Sequence, residues 1–225
     1  MTLAEGSLPA AYFDAVYAAS DDPWSFETSA YEAGKYEAAL AALGGRHFAC
    51  ALGVGCSIGV LTALLAPHCD DLLAVDVSEA ALARARARCA ALQQVRLAYM
   101  RVPDAFPPGR FDLVLTSEVA YYWSTADLER AADAVEACLV PGGLWLLVHW
   151  SRSCTTSRRR AMRCTTPSSG GASGAARCAI GRGSVTQCTG SICSSALPAN
   201  VACDEGAQRG DRLAHRHAGG VRRAF

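Results

Sequence analysis

Leu52-Gly53-Val54-Gly55-Cys56-Ser57-Ile58-Gly59 decides how the rest of the chain is read. An apolar run, Phe48-Ala49-Cys50-Ala51-Leu52, enters it and a helix-like segment, Val60-Leu61-Thr62-Ala63-Leu64-Leu65, leaves it. A strand that passes through small residues into a helix turns backbone N–H groups toward whatever lies over the bend, and the helix N-terminus favours negative charge there. A Cβ at Gly55 or Gly59 would hold a ligand, or the helix, away from the strand. The spacing predicts a nucleotide-type loop.

The next apolar run, Asp70-Asp71-Leu72-Leu73-Ala74-Val75-Asp76-Val77-Ser78, reaches a carboxylate 21 residues after Gly55. That is about where a ribose-binding acid belongs in a βαβ unit, so Asp76 is the expected partner of the loop.

Outward from this pair, periodicity places a short helix over Leu8 to Ala19 and a second over Tyr31 to Leu43, stopped by Gly44-Gly45. Between them Asp21-Asp22-Pro23-Trp24-Ser25-Phe26 is a loop whose Trp24 is either a structural plug or a lid over the ligand. The loop helix ends at Pro67, and Ser78 caps a helix from Glu79 to Leu92. Val95 to Ala98 is a short third strand, and Phe111 to Thr116 is a buried fourth. Ser117, Glu118 and Tyr121 lie just past its carboxyl end, where open α/β sheets bind ligands. Ser124 and Asp127 resemble a capping box, and Pro141-Gly142-Gly143 closes the helix it opens. Leu144 to Trp150 is the fifth strand. This alternation predicts an α/β fold, a Rossmann-like doubly wound parallel sheet.

With 225 residues, 51% of them hydrophobic, the chain is long enough for one α/β domain. No apolar run is long enough for a membrane span, and no leader pattern opens the chain, so a cytoplasmic protein without a membrane partner is expected. The net charge of zero hides two unlike parts: residues 1–150 carry 18 acidic and 9 basic side chains, residues 151–225 carry 3 and 12. An acidic first part argues against a nucleic-acid partner there. Cys50, Cys56, Cys69, Cys89 and Cys138 fall in apolar periodic segments and read as small buried hydrophobes, and without C-x-x-C spacing neither metal nor disulfide is expected.

After Trp150 the text changes: residues 151–225 hold one of 17 aromatics, six of 11 cysteines and 12 of 20 arginines, without sustained period. Two readings stay open, a disordered basic tail or a GC-rich gene read in the wrong frame. Shifted by one base, Ala161 to Ser169 can be back-read as G-D-A-V-H-D-A-L-L, with all but one letter chosen from a few options, which looks more like ordinary protein. The organisation expected is therefore N-terminal helices and lid over 1–45, a cofactor-binding core over 46–150 and a low-order basic tail over 151–225.

Residues 20–150 resemble the class I S-adenosylmethionine-dependent methyltransferases, and among them the NodS-like nodulation family. The resemblance lies in D-P-W-S-F-E-T-S-A-Y-E-A-G-K-Y (Asp22 to Tyr36), G-C-S-I-G-V-L-T (Gly55 to Thr62), L-L-A-V-D-V-S (Leu72 to Ser78) and F-D-L-V-L-T-S-E-V-A-Y-Y (Phe111 to Tyr122), followed by Pro141-Gly142-Gly143. It implies S-adenosyl-L-methionine as cofactor, held by Gly53, Gly55, Cys56, Ser57, Gly59, Asp76, Val77 and Ser117, with Trp24 and Lys35 from the first segment. It implies a small-molecule or oligosaccharide acceptor methylated on a free amine. Glu118 and His149 are the candidate bases, with Tyr121, Tyr122 and Trp150 shaping a sugar-stacking wall. Where the family pattern has an acid two residues before Gly55, this chain has Gly53. At the place of the acid expected near adenine stand Arg101 and Val102, with Asp104 displaced, and the family's C-terminal strands have no visible counterpart. Two other readings remain: a non-catalytic remnant, which Gly53 and the tail favour, and a nicotinamide-dependent oxidoreductase, against which the missing G-x-G-x-x-G spacing counts.

Overall fold

The computed structural model describes residues 6–148 and, beyond them, the backbone of the strands Arg163–Thr165, Arg177–Ala179, Val185–Thr189 and Ile192–Ala196. His149, Trp150 and the remainder of the basic tail lie outside the described residues.

Two helices precede the sheet. α1 (Ala10–Ala19) follows Pro9, and α2 (Ala30–Ala42) is capped by Ser29, whose Oγ accepts the Glu32 N–H at 3.4 Å. Gly44 and Gly45 turn the chain out of α2 with φ of 63° and 73°, the left-handed region glycine enters without cost. Then follow β1 (Ala51–Val54), α3 (Val60–Leu65), β2 (Leu72–Asp76), α4 (Glu79–Arg88), β3 (Val95–Tyr99), β4 (Phe111–Ser117), α5 (Thr125–Cys138) and β5 (Leu139–Val148). Ser78 and Ser124 cap α4 and α5 by accepting from the Ala81 and Asp127 N–H groups, as the sequence predicts.

Strands β3, β2, β1, β4 and β5 lie side by side in that order, all parallel. Alternate residues feed opposite faces. Leu52, Val114, Trp145 and Leu147 pack with Leu128, Ala131 and Val135 of α5 on one side. Ala51, Leu113, Leu115, Leu144 and Leu146 pack with Tyr36, Ala39 and Leu43 of α2 and Leu61 and Leu65 of α3 on the other. Burial on both faces is why these strands read as continuous apolar runs. Cys69, Cys89 and Cys138 are buried in these layers, whereas Cys50 and Cys56 are half-buried.

The observed elements differ from the expected ones in three places. α4 stops at Arg88 rather than running to Leu92, because a turn closed by the Leu92 and Val95 N–H groups brings Val95 into register beside Leu72. β5 starts at Leu139, directly after α5, and Pro141-Gly142-Gly143 lies inside it at a register shift against β4. The sheet also continues past β5, where the sequence reading ends it. In chain order β6 (Arg163–Thr165) and β7 (Arg177–Ala179) form a separate antiparallel pair, and β8 (Val185–Thr189) and β9 (Ile192–Ala196) join the main sheet as a hairpin. β9 runs antiparallel to β5, from Leu144 opposite Ala196 to Val148 opposite Ile192. The reason is hydrogen bonding: β5 is buried on both faces, and its outer row of N–H and C=O groups needs a partner strand. Among the described residues no helix is long and apolar enough to cross a membrane.

The connection from β1 goes to one side of the sheet and that into β4 to the other. Their carboxyl ends therefore flank a crevice, the place where open α/β sheets take ligands.

Candidate functional site

The loop is built by its glycines. Gly55 and Gly59 have φ of 79° and 82°, and Ser57 between them has 51°. A Cβ at Gly55 would come within 2.3 Å of Val119 Cγ1 and 2.6 Å of the Ser117 carbonyl oxygen, and one at Gly59 within 3.0 Å of the Ala85 backbone. The first glycine thus lets β4's end close against the loop, and the second lets α3 lie on α4. The Gly55 and Cys56 N–H groups donate to the Val75 carbonyl at 2.9 and 3.1 Å, tying the bend to β2.

Asp76 completes it. Its Oδ2 accepts the Ser57 N–H at 2.8 Å and its Oδ1 the Ser78 N–H at 3.0 Å, so loop and acid form one unit. Burial pushes the Asp76 carboxyl above its ordinary value, and the N–H groups of Ser57, Ser78 and Val77 offset only part of that. The carboxylate keeps acceptor capacity for a further donor such as a ribose hydroxyl.

Over this unit lies an aromatic roof. The Tyr17 hydroxyl is hydrogen-bonded to Ser57 Oγ, and its ring meets Trp24 edge-on at 5.4 Å, with Phe26 5.6 Å beyond. Arg84 of α4 holds the roof by donating to the Tyr17 carbonyl at 3.2 Å and by pairing with Asp21. Trp24 is thus both structural neighbour and cavity lining. Opposite, the Leu8 N–H donates to the Tyr122 carbonyl at 3.0 Å, and Phe13 meets the Tyr122 ring at 5.0 Å.

The wall past β4 carries charge. Glu118 has φ of 55°, and its N–H donates to the Val148 carbonyl at 2.8 Å. Lys35 Nζ donates to Glu118 Oε1 at 2.6 Å, and the Tyr121 hydroxyl donates to Oε2 at 2.7 Å. Lys35 also donates to Glu32 Oε1 at 2.9 Å and lies 2.7 Å from its Oε2. Burial disfavours the Lys35 charge, but the hydrogen bonds and charges of Glu118 and Glu32 outweigh it and hold the amine above its ordinary value. Burial of the hydroxyl and the Glu118 carboxylate raise Tyr121 in the same direction.

All of this faces one cavity of about 750 Å³, the size of a nucleoside cofactor with room to spare. Gly53, Gly55, Cys56, Ser57, Asp76, Val77, Ser117, Trp24, Lys35, Glu118 and Tyr121 line it together. Gly59 acts from behind, through α3. Cys56 brings a thiol that burial pushes up, hence a neutral one. His149 lies outside the described residues. The segment Met100 to Asp104 also lines the cavity, with Asp104 turned to Arg101 and Arg130 at 3.1 and 2.9 Å. Sequence reasoning missed Tyr17 and Glu32. The only local signal was the spacing of Glu32 three residues before Lys35 on one helix.

A doubly wound sheet with its first loop hydrogen-bonded to the acid ending β2 defines a Rossmann-like domain of the class I methyltransferase kind. The crystal structure of the N-methyltransferase NodS from Bradyrhizobium japonicum in complex with S-adenosyl-L-homocysteine matches it with a TM-score of 0.58 and 28% identity, over 61% of this chain and 71% of that one. The model of the Nodulation protein S (NodS) family matches residues 16–146, and the chain belongs to this family. It is 37% identical over 106 residues to Nodulation protein S of Bradyrhizobium diazoefficiens, covering 46% of this chain and 50% of that protein. To the Rhizobium tropici protein it is 33% identical over 127 residues, covering 56% of this chain and 53% of that one. The chain thus spans about half the length of the curated relatives it matches.

Proposed function

We propose that this chain binds S-adenosyl-L-methionine and transfers its methyl group to the nitrogen of an amino sugar, in a small acceptor or an amine-bearing oligosaccharide. The observation that carries the reading is the loop from Gly55 to Gly59 hydrogen-bonded to Asp76 at the floor of one cavity that also holds Glu118. The residues fit the cofactor. Asp76, in the cavity lining, keeps acceptor capacity for ribose hydroxyls. Support for the chemistry comes from the relative described as an N-methyltransferase.

When bound, the cofactor supplies an electrophilic methyl on a sulfonium, which the acceptor nitrogen's lone pair takes while the carbon–sulfur electron pair stays on sulfur. The protein's share is mainly positioning and exclusion of water, effects that together supply as much as about 7–11 kcal/mol of a barrier. Asp76 and the loop hold the nucleoside. The roof of Tyr17, Trp24 and Phe26 shuts out solvent. Glu118 accepts an N–H of the acceptor amine, turning its lone pair inward, and takes the proton that the methylated nitrogen gives up. Tyr121 and Tyr122, which line the cavity, offer ring faces to a sugar.

Gly53 favours a second reading, a chain that binds the cofactor without turnover, because the carboxylate expected beside the cofactor's amino group is absent. One experiment separates them: mass spectrometry of an amino-sugar oligosaccharide incubated with the protein and S-adenosyl-L-methionine. The proposal expects one added methyl on nitrogen, and about a 100-fold slower reaction for Glu118→Gln with unchanged S-adenosylhomocysteine affinity. Binding without transfer would establish the second reading instead.

A further inference from the structure

Glu118 is a non-glycine residue in the left-handed region, a strained conformation that persists only where its surroundings fix it. Three elements do so. β5 takes its N–H at the Val148 carbonyl, Tyr121 donates to one carboxylate oxygen, and Lys35 donates to the other. Lys35 is the chain's only lysine, and its side chain is 4% exposed. It reaches Glu118 across 83 positions of sequence, and Glu32, one turn back on α2, steers it there.

A buried ammonium serving two carboxylates at a cavity wall is a demanding arrangement. Because both carboxylates bond one nitrogen, they lie within about 5.5 Å of each other, two like charges held together by the cation between them. Among the described residues, titratable groups facing Glu118 include Lys35, Glu32 and Tyr36 of α2, and Tyr121 and Tyr122 beyond β4.

We propose that Lys35 is a positioning residue for Glu118: aimed by Glu32, its ammonium fixes the carboxylate in one orientation toward the acceptor amine. This rests on the reading that Glu118 meets that amine. Lys35 touches neither reacting atom; it acts through Glu118. The charge signs make the proposal specific. Removing Lys35 takes a cation from beside Glu118, and removing the charge of Glu32 takes away an anion.

The test is the pH profile of kcat/KM for amine methylation, with S-adenosylhomocysteine affinity measured alongside. Lys35→Met is expected to slow the reaction roughly 100-fold and to move the acidic limb up by about one pH unit, with cofactor affinity unchanged. Lys35→Arg returns the limb toward the wild-type position. Glu32→Gln moves it the other way, to lower pH, and decides the matter if Lys35→Met does not fold. A limb unmoved in these variants would make Lys35 a purely structural residue and overturn the proposal. A parallel loss of S-adenosylhomocysteine affinity would place Lys35 on the cofactor and overturn it equally. If the wild type methylates no amine, the functional reading fails, and Lys35 is judged without turnover. Carbon-13 NMR titration of the Glu118 carboxyl, assigned with Glu118→Gln, must then move up in Lys35→Met, and no movement rejects the proposal.

Discussion

Asp76 carries a pH dependence whose two parts have opposite sign. Burial, only partly offset by the N–H groups of Ser57, Ser78 and Val77, raises its folded-state value above that of an unfolded Asp. Folded protein therefore binds this proton more tightly than unfolded protein. The group's contribution to stability is greatest below the unfolded value and falls as pH rises through the raised folded value. Ligand binding goes the other way, because a protonated Asp76 loses acceptor capacity toward ribose hydroxyls. S-adenosylhomocysteine affinity is thus expected to fall on mild acidification while the unliganded protein gains stability from this group, and Asp76→Asn should flatten both trends in calorimetry and urea unfolding. Gly53 offers a complementary change. A Cβ there would lie 3.7 Å from the Ala74 Cβ, ordinary contact, so the backbone admits the first atom of a side chain. Gly53→Glu is expected to bind S-adenosylhomocysteine about tenfold tighter through a charge-assisted bond to its ammonium, at a cost of about 1–3 kcal/mol to the unliganded fold for a buried carboxylate. Unchanged affinity would mean that the amino group lies elsewhere. Loop and acid were legible in the sequence because they are neighbours through one βα unit. The meeting of Lys35 with Glu118 was not, since spacing says nothing about contacts made only when α2 packs on the sheet.

At the scale of elements, the serine caps were legible for the same local reason: each bond spans three residues. Ser124→Ala removes the acceptor for the Asp127 N–H, while the Ser124 N–H itself donates to Ser7 Oγ at 2.7 Å. A loss of about 1 kcal/mol is expected, read as a lower urea midpoint at unchanged slope, and no shift would mean that Ser7 and solvent replace the cap. The end of α4 and the start of β5 were misplaced because pairing decided them. Leu92 shares the α4 periodicity, but β3 must begin at Val95 to lie beside β2. Pro141 reads as a breaker, but at a register shift a strand tolerates it.

For the molecule as a whole, the five parallel strands were legible as apolar runs, and the hairpin beyond them was not. Thr, Ser and Cys dominate Val185–Thr189 and Ile192–Ala196, so no alternation marks a buried face. What places the hairpin is the open row of hydrogen-bonding groups on β5. A chain ended after residue 150 would leave that row bare. It is expected to unfold at lower temperature than the full chain and to associate at concentrations where the full chain stays monodisperse in light scattering; equal behaviour would show that the hairpin does not protect the edge.

The central claim is that the loop and Asp76 together form a site for the sulfonium nucleoside. Isothermal titration of the full chain with S-adenosylhomocysteine and, separately, with NAD tests it most directly. The account predicts that S-adenosylhomocysteine binds, that Asp76→Ala weakens it at least roughly tenfold, and that NAD gives no heat. Binding of NAD alone, or binding of S-adenosylhomocysteine indifferent to Asp76, would contradict it.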